Sequence, residues 1–485
     1  MAPQSTSAPE SWFGHPRGLA VLFNAELWER FSYYGMRALL VLYVVEALGR
    51  SETDAYALYA AYGAVVYAFG VVGGWLAQRH LGELRAIVIG GLLMAAGHLV
   101  MALPFADGLY LALALLCVGN GLFKPNVSTS VGALYDPDDP RRGQAYYLFY
   151  MGINIGATLS PIACGALGEG VGWHVGFGLA GVGMLFGLAV LLRGRRHLRS
   201  PSTIADADRS RPVWALALAA LVGACAILLW RADWGHRAIE LACVAVLALL
   251  LTMLARQRGQ ARARLLALLV LMLFHTGFWA AFEQVGSSFV LLAEEFVDRQ
   301  VLGVELPATS LVALNGAFII VLATPMAGLW RRLGARGLEP STAGKFALGL
   351  ALLGLGFLAF VVGIERAAEL GAPISLGALA LCYLLITIGE LCLSPIGLAM
   401  VTKLAPEGQT NLCMGAWFMT YAAAHLISGA IATATVDPGA GTATATATLA
   451  RFAEVFSQVG LVALGLAGVL ELLSPWVTRL IGERE

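Results

Sequence analysis

The segment Glu26-Leu27-Trp28-Glu29-Arg30-Phe31-Ser32-Tyr33-Tyr34-Gly35-Met36-Arg37 sets four charged residues inside what otherwise reads as the first membrane-spanning helix. At about 100° per residue, Glu26, Glu29, Arg30, Tyr33, Tyr34 and Arg37 fall within a stripe of roughly 140° on one helix face. An ionised side chain at the bilayer centre costs on the order of 2.5–3.5 kcal/mol on insertion scales. The stripe must therefore face charged partners or a water-filled cavity. A simple anchor has no use for such a helix, so the chain reads as a pathway protein.

Composition sets the class. Of 485 residues, 59% are hydrophobic and 13% charged, which excludes an ordinary soluble globular protein. The formal net charge is zero and no long basic run occurs, so nucleic acid has no electrostatic footprint to bind. The seven cysteines, Cys117, Cys164, Cys225, Cys243, Cys382, Cys392 and Cys413, lie in apolar stretches without metal-ligand spacing and read as small core hydrophobes. Residues 1–17 are polar and the apolar segment after them is too long for a signal peptide, so the first span is expected to stay in the mature protein.

Apolar runs long enough to cross a ~30 Å hydrocarbon core lie near 18–48, 55–77, 85–104, 108–131, 144–166 and 174–194, then near 212–231 and 237–255. Six more lie near 265–293, 309–330, 344–363, 374–402, 411–433 and 453–480. Fourteen spans are thus expected in an all-α polytopic membrane protein. With a cytoplasmic N-terminus the inside loops receive Arg79, Arg85, Arg141, Arg142, Arg193, Arg195, Arg196, Arg199, Arg256, Arg258, Arg262, Arg264, Arg331, Arg332, Arg336 and Lys345. The opposite loops keep only scattered residues such as Arg50, Arg231, Arg237, Arg299 and Arg366, so the positive-inside rule puts both termini in the cytoplasm.

The chain also repeats itself. Phe23, Trp28, Phe31 and Gly35 recur at identical spacing as Phe274, Trp279, Phe282 and Gly286, and the spacing of Gly119 and Pro125 recurs in Gly389 and Pro395. The simplest reading is a cytoplasmic segment at 1–17, a six-helix bundle at 18–199, a linker and two-helix insert at 200–260, and a second six-helix bundle with a short tail at 261–485. Two such halves are the build of major facilitator transporters, which hold substrate near the bilayer midplane.

Three further ionisable residues fall inside spans: Lys124, Glu283 and Glu390. With those of the first span they make four acids and three bases, one uncompensated negative charge that a single proton would neutralise. Salt bridges that merely tie helices together are the other reading, but buried pairs are weak stabilisers because desolvation offsets attraction. Lys124 directly precedes Pro125, and Glu390 lies five residues before Pro395. Each proline removes a helical hydrogen bond, at the carbonyls of Gly121 and Leu391, and permits a bend beside the charge. Tyr33, Tyr34, Tyr67, Asn154, Trp279, Asn315 and Trp417 add polar-tipped aromatics and amides to the same segments.

These residues together resemble the proton-dependent oligopeptide transporter family of the major facilitator superfamily, bacterial type. The resemblance rests on the Glu-x-x-Glu-Arg-Phe-x-Tyr-Tyr-Gly block at 26–35, Phe123-Lys124-Pro125-Asn126, Phe149-Tyr150-Met151-Gly152-Ile153-Asn154-Ile155-Gly156, Phe278-Trp279-Ala280-Ala281-Phe282-Glu283-Gln284, Gly389-Glu390 with Ser394-Pro395, and Gly415-Ala416-Trp417-Phe418. It implies a major facilitator fold in the cell inner membrane and symport of di- and tripeptides with protons. No cofactor is implied, and a monomer is expected. It implies that Arg37, with Lys124, takes the peptide carboxylate and Glu390 the ammonium. Tyr34, Tyr67, Asn154, Asn315, Trp279, Trp417 and Ser428 would line the pocket. Glu26, Glu29, Arg30, Lys124 and Glu283 would carry proton coupling, and Arg37 with Glu283, and Lys124 with Glu390, would gate beside Pro125 and Pro395. Gln78 stands where the family usually has an aspartate.

Uptake of another small anion such as nitrate on the same fold, or a non-transporting peptide sensor, are the rival readings. A membrane enzyme would need a nucleophile, metal cluster or cofactor motif. His275 and His425 read instead as isolated packing or hydrogen-bonding residues.

Overall fold

The computed structural model describes residues 11–104, 106–136, 139, 141–198, 211–436 and 444–482. Arg199 and residues 200–210 of the linker and two-helix insert expected at 200–260 lie outside the described residues, as do residues 1–10 of the N-terminal segment.

Apolar runs become helices because a helix satisfies its own backbone where water is absent. The first six are α1 (Arg17–Leu42), α2 (Glu52–Leu76), α3 (Glu83–Met101), α4 (Leu109–Ala133), α5 (Arg141–Gly170) and α6 (Trp173–Gly194). Single π-helical turns extend α1 over Tyr43–Ala47 and α2 over Ala77–Leu81. Then come α7 (Arg211–Trp230), α8 (Ala232–Arg256) and α9 (Gly259–Phe282), a 3₁₀ turn at Glu283–Gly286, and α10 (Ser288–Phe296). The remainder are α11 (Ala313–Ala335), α12 (Thr342–Leu370), α13 (Leu376–Leu404), α14 (Thr410–Ala434) and α15 (Ala445–Ile481).

The span expected at 265–293 is therefore not one helix. The 3₁₀ turn at Glu283 and the backbone of Ser287, at φ −126° and ψ −95°, divide it into α9 and α10. Counted as one crossing, they leave the fourteen expected spans in place, with α2 and α15 running four and eight residues beyond their expected limits. Eleven of the segments have the length and hydropathy of a membrane crossing. The charged stripe of α1, and the Thr420, His425 and Ser428 side chains of α14, mark two of the others as helices whose polar faces need protein around them. The chain is a multi-pass membrane protein.

Two compact units form. The first comprises residues 1–39 and 69–230, the second 40–68 and 231–485. In the first, α3 packs on α4 and α6, α5 on α6, and α7 on α4. In the second, α12 packs on α13 and α15, α9 on α14 and α15, α11 on α13, and α8 on α14. Phe289, Phe357, Phe360 and Phe456 form a fully buried aromatic core in the second unit, with ring centres 5.2–6.1 Å apart. Leu241, Val244, Leu247 and Leu251 leave α8 with a broad exposed apolar face suited to lipid.

The first unit also shows what becomes of a carbonyl released by proline. Pro125 lies inside α4 and lacks the N–H that would bond the carbonyl of Gly121. The backbone of α2 fills the gap, because Gly73 has no side chain: a Cβ there would sit 1.9 Å from that oxygen. Gly73→Ala is therefore expected to force the two helices apart and destabilise the protein by about 1–3 kcal/mol. Gly70→Ala, one turn earlier with nothing within 4 Å of its added carbon, is expected to leave stability unchanged or raise it. Thermal unfolding of the two variants in detergent checks the contrast.

Candidate functional site

Each unit carries its own cluster of intramembrane polar groups. In the first, Glu26, Glu29 and Arg30 are buried side by side on α1 with exposures of 0%, 0% and 2%. The guanidinium grips Glu29 through two parallel hydrogen bonds, Nε to Oε2 at 2.5 Å and Nη2 to Oε1 at 2.7 Å. Asn120, projecting from α4, donates a third hydrogen bond to Oε1 of Glu29 at 2.7 Å. Such a bidentate, charge-assisted grip is the strong form of this interaction.

Glu26 is held differently. Its nearest approach to Arg30 is 3.4 Å, and neither of its carboxyl oxygens accepts a hydrogen bond among the described residues. Lys124, half-buried on α4, stands within electrostatic reach of Glu26, Glu29, Arg30 and Arg37. Tyr33 and Tyr34 place their rings 5.0 and 5.9 Å from the guanidinium carbon of Arg30, so its charge is also met by π faces. The stripe on α1 is thus two carboxylates of unequal standing beside shared cations: Glu29 accepts three hydrogen bonds and Glu26 none among the described residues.

Other expected residues of this unit have plainer surroundings. Asn154 is buried on α5 and its amide donates to the carbonyl of Tyr150 in its own helix at 2.9 Å. Tyr34 and Arg37 are half-buried, and Gln78 is exposed on the turn after α2.

In the second unit Glu390 on α13 accepts a hydrogen bond from the amide of Asn315 on α11 at 2.9 Å, and the same amide donates to Thr387 at 3.0 Å. Spacing puts Thr387 one turn before Glu390, yet the sequence reading passed over it. Trp279, Trp417 and Tyr67 belong to one aromatic group that also includes Tyr421, His275 and His425. Tyr67 stacks on Tyr421 with centres 4.7 Å apart and planes at 8°, Trp279 meets Tyr421 at 4.9 Å, and His275 meets Trp417 at 4.3 Å. Ser428 is buried, and its hydroxyl and carbonyl receive the amide of Gln284 at 2.9 and 3.0 Å. That pairing ties α14 to the α9–α10 break. The helix α13 continues through position 395, whose side chain lies outside the described residues.

The two histidines are not isolated as expected. His275 Nδ1 bonds the hydroxyl of Thr420 at 2.8 Å, and His425 Nε2 lies 3.6 Å from Oε1 of the buried Glu283. Tyr59, also unforeseen, donates to the other oxygen of Glu283 at 3.4 Å. Each residue reads singly as an apolar-face side chain, and only the packing of α2 and α14 beside the helix break joins them.

Known proteins share this chain's sequence and fold. The sequence pattern of the POT family matches residues 84–447. An uncharacterized transporter, YclF of Bacillus subtilis, is 36% identical over 98% of this chain and 96% of its own length. Dipeptide and tripeptide permease A of Edwardsiella piscicida is 34% identical over 96% of both chains. A crystal structure of a peptide transporter POT in complex with sulfate superposes with a TM-score of 0.83 at 35% identity, covering 97% of each chain.

The unequal carboxylates of α1 predict unequal costs. Glu29→Gln removes the bidentate partner of a buried guanidinium and is expected to cost about 3–5 kcal/mol of stability. Glu26→Gln removes no hydrogen bond and is expected to cost clearly less. Unfolding midpoints of the two purified variants decide it; equal losses would show that Glu29 and Glu26 share the guanidinium evenly.

Proposed function

This chain belongs to the POT family, and we propose that it is a proton-coupled symporter that carries di- and tripeptides across the cell inner membrane. The observation that carries the coupling is the contrast on α1 between Glu29, saturated by Arg30 and Asn120, and Glu26, whose carboxyl accepts no hydrogen bond among the described residues. An acid so placed can gain or lose a proton without dismantling the ion pair beside it. Glu26 is the loading site of this network, with Glu29 and Arg30 as its fixed frame and Lys124 as the cation whose approach favours release.

The peptide is a dipole with a carboxylate and an ammonium, and the protein offers both complements. Arg37 and Lys124 serve the carboxylate, and Glu390 serves the ammonium, its carboxylate held in orientation by Asn315. Tyr34, Tyr67, Asn154, Asn315, Trp279, Trp417 and Ser428 contact the peptide backbone and admit varied side chains. Glu283 is a second proton carrier, and Arg37, Glu283, Lys124 and Glu390 are the gating charges, with bends at Pro125 and Pro395 as the moving parts. The halves at 18–199 and 261–485, with the pair between them as an insert, act as the two bundles of alternating access. Both termini are cytoplasmic and the protein works as a monomer.

Labelled dialanine, presented to liposomes that contain the purified protein and carry an inside-negative potential and an inside-alkaline gradient, is expected to accumulate. An uncoupler is expected to abolish accumulation, and Glu26→Gln to lack it. A folded wild-type protein that neither accumulates nor exchanges dialanine overturns the peptide assignment. Because a neutral dipeptide plus one proton moves one charge, about 2.3 kcal/mol per 100 mV is available from the potential. Uptake is therefore expected to rise with inside-negative voltage in the absence of a pH gradient, and voltage-insensitive uptake would count against one-proton coupling.

A further inference from the structure

His425 has closely fitted surroundings that the symport reading leaves without a role. It is buried on α14 with 1% exposure, and its Nε2 lies 3.6 Å from Oε1 of Glu283, itself 2% exposed. The hydroxyl of Tyr59 reaches the second carboxyl oxygen at 3.4 Å. Tyr67 covers the imidazole with centres 5.6 Å apart and planes at 31°, and Tyr59 meets it edge-on at 6.3 Å. The remaining side is closed by Gly63 of α2. A Cβ at that position would lie 2.3 Å from Cε1, 2.4 Å from Nδ1 and 2.6 Å from Nε2, so only glycine leaves room for the ring where it stands.

Among the described contacts, Glu283 from the break between α9 and α10 and Tyr59 and Tyr67 from α2 face this imidazole. Tyr421, one turn earlier on α14, stacks on Tyr67, with His275 beyond it; Tyr383 of α13 is an electrostatic neighbour of Tyr59. Glu283 is the acid of this group. A carboxyl and an imidazole that share one proton keep the same net charge whether it sits on oxygen or nitrogen. Moving it within the pair therefore avoids creating a lone charge in a low-dielectric interior. Imidazole suits the exchange because its unperturbed proton affinity lies in the physiological range.

We propose that His425 is the proton-sharing partner of Glu283 in the second unit. This rests on the symport reading of Glu283. The O–H bond of the Glu283 carboxyl breaks as an N–H bond forms at Nε2 of His425, and the reverse transfer returns the proton to the carboxyl before it leaves to water. The present 3.6 Å separation is longer than a hydrogen bond, and a closure of less than an ångström brings it into range, as is common for proton-transfer pairs caught at rest.

The test compares gradient-driven accumulation of dialanine with counterflow exchange in liposomes that hold no gradient, for the full-length wild type and His425→Gln. The variant is expected to lose about tenfold or more of driven accumulation while exchange falls by no more than about twofold. Adding Glu283→Gln to it is expected to deepen the loss little, since partners in one transfer are not additive. Equal losses in accumulation and exchange would mark His425 as a packing residue and overturn the proposal, as would undiminished accumulation. If His425→Gln does not fold, Gly63→Ala replaces it. That variant keeps the imidazole but displaces it, and is expected to give the same split; normal accumulation by a folded Gly63→Ala overturns the proposal. Wild-type protein that does not accumulate dialanine removes the symport reading and this inference with it, whereas accumulation by wild type and His425→Gln alike removes only the inference.

Discussion

A guanidinium inside a hydrocarbon slab must have its charge and its donors met by protein, and Arg30 is the residue on which that demand falls hardest. It is 2% exposed in a helix whose neighbours include two carboxylates, and it resolves the demand by closing on one of them in a bidentate pair. Everything else in the first unit follows from that choice. Asn120 must come from α4 to finish satisfying Glu29, which sets how α4 lies against α1. Glu26 is left with an ionic neighbour at 3.4 Å and, among the described residues, no hydrogen bond to its carboxyl.

The second unit meets the same demand with different chemistry. Glu390 is met by a neutral amide from Asn315, and Glu283 by the hydroxyl of Tyr59 and the imidazole of His425. A hydroxyl, an amide and an imidazole thus stand beside the acids here where a guanidinium stands beside those of α1. The break between α9 and α10 serves this arrangement: it places Glu283 at a turn, while Gln284 bonds across to Ser428 and holds α14 in register beside it. Each unit thus buries acidic side chains inside the membrane and surrounds them with polar groups from neighbouring helices.

Much of this was legible residue by residue. Burial of Glu26, Glu29, Arg30, Glu283 and Glu390 followed from finding ionisable side chains in segments too apolar to lie elsewhere, and fourteen crossings followed from the lengths of the apolar runs. The division of the seventh span was not legible, because the polar residues Glu283, Gln284, Ser287 and Ser288 are flanked by apolar residues on both sides and no proline marks the turn. The distinction between Glu26 and Glu29 was equally hidden. Both lie on one helix face within a turn of Arg30, and the side chain that separates them, Asn120, arrives from a helix ninety-one residues away.

The lipid solvent of this protein, the number of its crossings, the family to which it belongs and the side chains that cannot face lipid are all written along the chain. Those properties depend on local quantities: transfer free energy per residue, the 3.6-residue period, and motif spacing along one chain. Which acid on α1 is saturated, that His425 and Tyr59 attend Glu283, and that Gly73 and Gly63 leave room for a carbonyl and an imidazole emerge only once the helices pack. Those are properties of distances between helices. A hydrogen bond is decided over a few tenths of an ångström, and that precision comes into being only when packed helices fix the approach of residues far apart in the chain.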